Sequence, residues 1–592
     1  MSSGEDKSVG DANEEEVPSG SFVERVRLVD HIHRHLSYSV FGLCLLAIPV
    51  GILTGYGAWG FRRVFRIAGD WLRGDMEISG GMLQMIQLSV GGLIFGLVLH
   101  FLRWERFRTP AHVIVAASEN GGKLRLRDGS ITAVADAIAL ALAAPVGRYG
   151  PAVSLGAMIG SVFAQWMKLG ETSIKILLGC GVAGAISASF NAPIAGVIFA
   201  HEVIIGHFKL KAFAPITLSS VAAVALTRFH QVEYVGLKLW QAPHPVTLED
   251  YPLYMLLGLI SALVAMMYMS GIMRASWVAR KARLPKWIQP MIGGAIAGVV
   301  GLWLPGALGL GDRTFLAVLE QNLDSPQFGV MALAALGLGK LIGSVCCLGL
   351  RYPGGAFTPA MFIGAMIGGV FGILVPTLDY QISVLVGMGA MVGAVVGAPL
   401  SVILIVFELT ENYQAATGVM VAVVVANALV TRYFARSLFH RQIRVWGIEI
   451  NRPGEQRLLS RRFLSELVRR DAATVSSGAS YEESRETLDK HRGRVIFVID
   501  SEGDLIGQLP DVNWSELNEE TRMGDLAVKP KVMLCETDTQ WYGFEKMEHH
   551  ANQVAPVIES EDSQKLVGVI TTPRLMVAYR KAIQESRRDG ER

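Results

Sequence analysis

Charge is scarce in this chain and favours neither sign. Only 18% of the residues are charged, and 54 Lys and Arg nearly balance 52 Asp and Glu. That balance leaves no basic face for a nucleic-acid partner. With 51% hydrophobic residues and a positive mean hydropathy it also excludes an ordinary soluble protein. Cysteine is rare. Cys44, Cys180, Cys346, Cys347 and Cys535 show no metal-ligand spacing, and no metal site is expected. Four of them lie in apolar stretches and read as small hydrophobes, and adjacent Cys346 and Cys347 make a poor disulfide candidate. No nucleophile–base grouping points to an enzyme. The first twenty residues have no apolar core, so they are not a secretory signal peptide and read as a disordered segment, 1–20.

Long unbroken apolar runs are also few. Runs recur from about Val40 to Phe434, such as Val40–Gly55, Leu88–Leu102, Tyr254–Ser270, Val330–Leu350 and Thr417–Val430. Many are shorter than the roughly 20 residues of a perpendicular span. Short helices buried in a bundle fit better, and the 64 glycines would let their backbones approach closely in lipid. Basic residues flank the apolar region. Arg25, Arg27, His31, His33, Arg34 and His35 precede it, and Arg432, Arg436, His440, Arg441 and Arg444 follow it. By the positive-inside bias both ends are cytoplasmic, which makes the chain an integral protein of a bilayer, expected to be a bacterial inner membrane.

Two landmarks occur twice at nearly one spacing. Gly147-Arg148-Tyr149-Gly150-Pro151 runs into Gly156-Ala157-Met158-Ile159-Gly160, and Gly354-Gly355-Ala356-Phe357-Thr358-Pro359 runs into Gly364-Ala365-Met366-Ile367-Gly368. Asn191-Ala192-Pro193 is followed nine residues after its proline by Glu202, and Gly397-Ala398-Pro399 likewise by Glu408. Two unrelated landmarks with one offset argue for an internal duplication, the pattern of repeat-built transporters and channels. Glycine-rich segments that end in proline are helix starts. A helix that starts inside the bilayer presents free N–H groups and the positive dipole end, which suits an anion. Such starts stand at Pro151 and Pro359, with another at Pro110. The alternative is that these glycines only permit close packing, but the pairing of the motifs favours a site.

After about Ile448 the composition changes. Val495–Asp500 and Leu505–Leu509 read as strand, turn and strand, and Val554–Ile558 with Leu566–Ile570 repeats the pattern. Helical stretches flank each hairpin, so residues 449–592 form a small α/β module of two similar halves.

These motifs resemble those of the CLC chloride channels and transporters. Gly147–Pro151 resembles the family's GREGP motif and Gly355–Pro359 its GxFxP motif. Phe190–Gly196, Ala398-Pro399 and Glu408–Tyr413 are similar to further family segments, and the likeness covers roughly Leu36 to Arg444. The tail resembles a pair of CBS domains. The resemblance implies an all-α polytopic membrane domain over residues 21–448, made of two inverted repeats of tilted helices, roughly 36–230 and 250–444. It implies a homodimer with one anion pathway per subunit, and chloride as the default substrate, with nitrate, bicarbonate or another small anion as alternatives. Backbone N–H groups at Tyr149, Ala356 and Phe357 would hold the anion.

Several positions depart from the family pattern. Its gating glutamate falls on Tyr149, a phenol that stays neutral where a carboxylate would mimic an anion and carry protons. Its pair of inner glutamates falls on Glu202 and Val203, so the proton-taking position is apolar. His201 is a weak substitute, and a packing role suits it better. The serine of its GSGIP loop falls on Phe107 in Arg106-Phe107-Arg108-Thr109-Pro110, where Arg106 and Arg108 either supply positive charge or mark a cytoplasmic loop. Its inner tyrosine falls on Phe439. Uncoupled anion passage is therefore expected, with coupled exchange through another carboxylate, or a non-conducting sensor, as the alternatives. Nucleotide-binding CBS halves carry an aspartate where Arg574 stands, and Gly507–Asn513 lacks the hydroxyl residue, so no nucleotide cofactor is expected and the tail reads as structural.

Overall fold

The computed structural model describes residues 39–73, 80–230, 246–321, 328–448, 454–510, 518–550, 553–560 and 562–591. The segment 1–20, the basic cluster from Arg25 to His35, and Asp511 to Asn513 lie outside them. The chain divides into two units, Met1–Ile450 and Asn451–Arg592.

Every named element among the described residues of the first unit is a helix. Its first half contains α1 (Val40–Arg73), α2 (Gly80–Phe101), α3 (Pro110–Ser118), α4 (Leu126–Ala141), α5 (Tyr149–Trp166), α6 (Glu171–Phe190), α7 (Pro193–Phe199, continued by a π-helical turn Ala200–Ile205) and α8 (Leu210–Phe229). Its second half contains α9 (Asp250–Lys281), α10 (Gln289–Trp303), α11 (Asp312–Leu319), α12 (Val330–Gly349), α13 (Phe357–Leu374), α14 (Tyr380–Val396), α15 (Pro399–Thr410), α16 (Tyr413–Tyr433) and α17 (Leu438–Val445). Among the described residues eight helices are long and apolar enough to cross a membrane. Their outward faces carry exposed Phe41, Phe101, Leu263, Met267 and Met331, as lipid contact requires. The remaining apolar helices are shorter, because each stops at a left-handed residue or restarts at a proline.

The duplicated landmarks acquire a physical meaning here. Both α6 and α14 end on a left-handed residue, Asn191 and Gly397, and an Ala-Pro pair then starts α7 and α15. Helices α6 and α14 are buried almost all round, so each is the centre of its own half. The Gly-Ala-Met-Ile-Gly strings supply the crossings that bury them. A side chain at Gly156 would lie 2.3 Å from the Gly181 carbonyl of α6, and one at Gly364 would lie 2.4 Å from the Gly387 carbonyl of α14. These glycines let helix pack on helix, and the glycines just before them let the two motifs close on each other.

The second unit begins with α18 (Gly454–Leu459). It then repeats one βαββ pattern: β1 (Thr474–Ser476), α19 (Tyr481–Lys490), β2 (Phe497–Ile499) and β3 (Leu505–Gln508), followed by β4 (Leu534–Cys535), α20 (Gln540–His549), β5 (Val554–Ile558) and β6 (Leu566–Thr571), with α21 (Thr572–Glu591) closing the chain. In each half the first strand runs parallel to the second and the second antiparallel to the third. Phe497, Leu505, Ile558 and Val569 form a shared apolar cluster between the halves. Both hairpins fall where the alternation placed them. The parallel strands β1 and β4 are too short to leave a periodic signal.

Candidate anion site

The two glycine-proline motifs close on each other. Gly147 N–H donates to the Gly355 carbonyl at 2.7 Å, and Gly355 N–H donates to the Gly147 carbonyl at 2.9 Å. A side chain at Gly150 would lie 3.0 Å from the Gly355 Cα and 3.8 Å from the Pro110 ring. Three helix starts therefore converge, those of α3, α5 and α13. Neither Arg148 nor Ala356, the residues that precede α5 and α13, caps its helix with a side chain. The first-turn N–H groups at Tyr149 and Phe357 are thus left to an outside acceptor. Thr358 fastens the junction, since the Arg148 N–H donates to its hydroxyl at 3.3 Å. Pro151 and Pro359 are buried in the first turns of α5 and α13. The buried Tyr268 hydroxyl donates to the Ala356 carbonyl at 3.4 Å.

Aromatic rings roof this junction. The Tyr149 ring stacks on Phe190 at 3.9 Å between centroids and meets Phe357 edge-on at 5.2 Å. It is only 5% exposed. Arg148 grips it from the other side. One guanidinium nitrogen donates to the Tyr149 hydroxyl at 3.0 Å, the other pairs with Asp312 at 3.0 Å, and the cation lies 5.0 Å from the ring centre. The phenol oxygen is thus occupied as an acceptor, while its proton stays available as a donor.

Helix starts without side-chain caps, with the Arg148 guanidinium beside them, make a junction suited to anions. The family model described as voltage gated chloride channel matches residues 91–431, more than half of the chain. The chain belongs to the voltage-gated chloride channel family. A voltage-gated ClC-type chloride channel, ClcB, of Escherichia coli O81 (strain ED1a) is 28% identical over 428 residues, 68% of this chain and 99% of that protein. The ClcB of Shigella boydii serotype 18 is 28% identical over the same lengths. Among solved structures, a slow cyanobacterial Cl−/H+ antiporter superposes with a TM-score of 0.60 at 21% identity, over 69% of this chain and 99% of that one. A eukaryotic CLC transporter gives 0.58 at 18% identity, over 89% and 97%. These two show the fold alone.

The other positions where this family member departs from the pattern fall in different places. Phe107 does not join the junction. It is buried in a separate apolar cluster and meets Phe95 edge-on at 6.1 Å, so this ring packs between helices. The polar group at the start of α3 is Thr109, whose hydroxyl lies 3.2 Å from His112 Nδ1. Phe439 is buried in the first turn of α17 and belongs to the same large apolar cluster as Tyr149. Val203 is buried among apolar residues. Arg106 donates to the Ser276 hydroxyl at 2.7 Å, and Arg108 pairs with Asp128 at 2.6 Å. Arg108 is therefore neutralised locally and adds little free charge to a vestibule.

Glu202 has a definite task. Its carboxylate accepts from Leu400 N–H at 3.2 Å, Ser401 N–H at 2.9 Å and the Ser401 hydroxyl at 2.5 Å, and so caps α15. Glu408 reciprocates. It accepts from Ile194 N–H at 3.0 Å and Ala195 N–H at 2.7 Å, and caps α7. Each half thus supplies the acid that closes the other half's broken helix, which explains why both glutamates stand nine residues after their prolines. His201 gives Nδ1 to the His207 carbonyl at 3.0 Å and stacks on Phe208 and Phe213, while its Nε2 is buried without a partner.

Three charged residues escaped the motif reading. Asp312 reaches Arg148 only through the tertiary fold. Asp136 in α4 is 2% exposed and lies against the backbone of Gly354. Lys340 in α12 is wholly buried, donates to the Gly309 carbonyl at 2.5 Å and lies 5.0 Å from the Phe362 ring centre. For the last two a signal existed, a lone charge inside an apolar run, which in a membrane protein marks function or a specific partner.

Proposed function

We propose that the chain passes small monovalent anions, chloride by default, across a bilayer without obligatory proton exchange. The observation that carries this is the state of Tyr149. At the outer junction stands a phenol, stacked on Phe190 and held by Arg148, and no carboxylate that could alternate between anion mimic and proton carrier. Glu202 is engaged in capping α15, and Val203 cannot titrate. The chain works as a homodimer with one pathway per subunit, in a bacterial plasma membrane with both ends cytoplasmic. Its tail serves dimer stability and takes no nucleotide. The test is a liposome experiment that follows anion efflux and proton movement together across several anions. Downhill efflux with no proton movement is expected, and uphill proton pumping at a fixed ratio would overturn the proposal.

One observation favours a second reading, proton-coupled exchange. Asp136 is a buried carboxyl beside the loop that leads into α13, and an intramembrane acid is a natural proton carrier. Under this reading Asp136→Asn abolishes proton movement and leaves anion flux. Under the first reading proton movement is absent in both proteins.

A further inference from the structure

A recess opens between α1, α5, α6 and α8. It is lined by Trp59, Arg62 and Phe65 of α1, Arg148 just before α5, Ser189 of α6 and Thr227 of α8. Its size suits a chloride ion or a water molecule, not an organic ligand. No carboxylate lines it. Two guanidiniums do, and their situations differ. Arg148 is committed to Asp312 and to the Tyr149 hydroxyl. Arg62 has a buried Nε with no hydrogen-bond partner. Arg62 and Arg148 line one recess as like charges, and the acid that acts on both, Asp312, is already paired with Arg148. The Ser189 hydroxyl donates to the Ala185 carbonyl at 2.6 Å, and the Thr227 hydroxyl donates within its own helix. The charged donors left to a guest are therefore the guanidinium N–H groups, with the indole N–H of Trp59 as a neutral one.

A buried guanidinium nitrogen without an acceptor is costly, and so is an excess of like charge at low dielectric. One acceptor that carries a negative charge relieves both. We propose that this recess is a second anion site, outside the helix-start junction, that holds a chloride-sized monoanion on Arg62. Arg148 couples the two places, because it lines the recess and also grips Tyr149. An anion held on Arg62 thus waits beside the tyrosine that covers the helix starts. The site rests on the reading that the chain handles small anions, yet it can be examined without transport.

Chloride titrated into the purified full-length protein by calorimetry is the primary measurement. Arg62→Gln should weaken or delete one chloride site, by about tenfold or more for loss of a charge-assisted contact. Arg62→Lys, which keeps the charge, should lose less. An unchanged isotherm in Arg62→Gln overturns the site whatever the flux. Crystals of the unaltered protein grown in bromide give a test that needs no variant: anomalous density beside Arg62 Nε is expected, and bromide found only at the helix starts overturns the proposal. Chloride efflux by the unaltered protein in liposomes tests the transport reading separately, so the two can fail independently.

Discussion

Replacement of Glu202 separates a capping acid from a proton carrier. Its carboxylate takes two N–H groups and a hydroxyl at the positive end of α15, in a place only 9% exposed. Glu202→Ala leaves those three donors without an acceptor. Each unmet donor to a charged group costs about 1.5–3 kcal/mol, and the helix end adds up to about 1 kcal/mol. The Ser401 hydroxyl can turn to a backbone carbonyl of its own helix, which returns part of the loss. The net expectation is about 3–7 kcal/mol of stability for Glu202→Ala, and about half of that for Glu202→Gln, which keeps one acceptor oxygen. Urea titration in mixed micelles, followed by far-ultraviolet circular dichroism, reads the difference. Once flux is normalised to folded protein, Glu202→Gln should keep the parent's dependence on pH. An alanine variant within about 0.5 kcal/mol of the parent, the range of an ordinary surface change, would refute the capping argument. So would a glutamine variant of parental stability with altered proton movement.

Tyr149 offers a second set of outcomes. Tyr149→Phe removes the acceptor for Arg148 but keeps the stack on Phe190, so retained flux marks the ring as a cover and lost flux marks the hydroxyl as an anion ligand. Tyr149→Ala should raise flux with a shallow pH dependence, and Tyr149→Glu should introduce an inhibition relieved as pH falls, because protonation removes the competing charge; parental behaviour in all variants would put Tyr149 outside the pathway. Arg108→Gln should change neither flux nor its salt dependence, since the pair with Asp128 leaves little free charge. Its stability cost should stay within about 1 kcal/mol, as for half-exposed pairs. Adenine nucleotides are expected to show no micromolar binding to the full-length protein by calorimetry, because the CBS resemblance puts Arg574 where a ribose-binding aspartate would stand; its guanidinium donates to the Leu467 carbonyl at 3.0 Å.

The sequence alone determined what depends on periodicity and on special backbone residues. Apolar runs broken by glycine and proline specified a membrane helix bundle, because lipid admits only backbone that satisfies itself. The paired Gly-Pro and Ala-Pro landmarks specified two related halves and helix starts at Pro151 and Pro359, two residues inside the observed starts at Tyr149 and Phe357, because left-handed ends and proline starts are local preferences. Alternating strands specified both hairpins of the tail. Tertiary structure decided what those local preferences leave open, namely which side chain meets which across the fold. Asp312 meets Arg148 across 164 residues, and Glu202 and Glu408 exchange helices across about 200. Phe107 shows the same limit from the other side. Its position before Pro110 suggested a pathway lining, but the loop turns its ring onto Phe95, because an apolar ring gains more in a packed cluster than beside charged donors. Arg62, in the middle of an ordinary helix, bears no motif at all. Only the crossing of four helices leaves its nitrogen buried, unpartnered and beside Arg148.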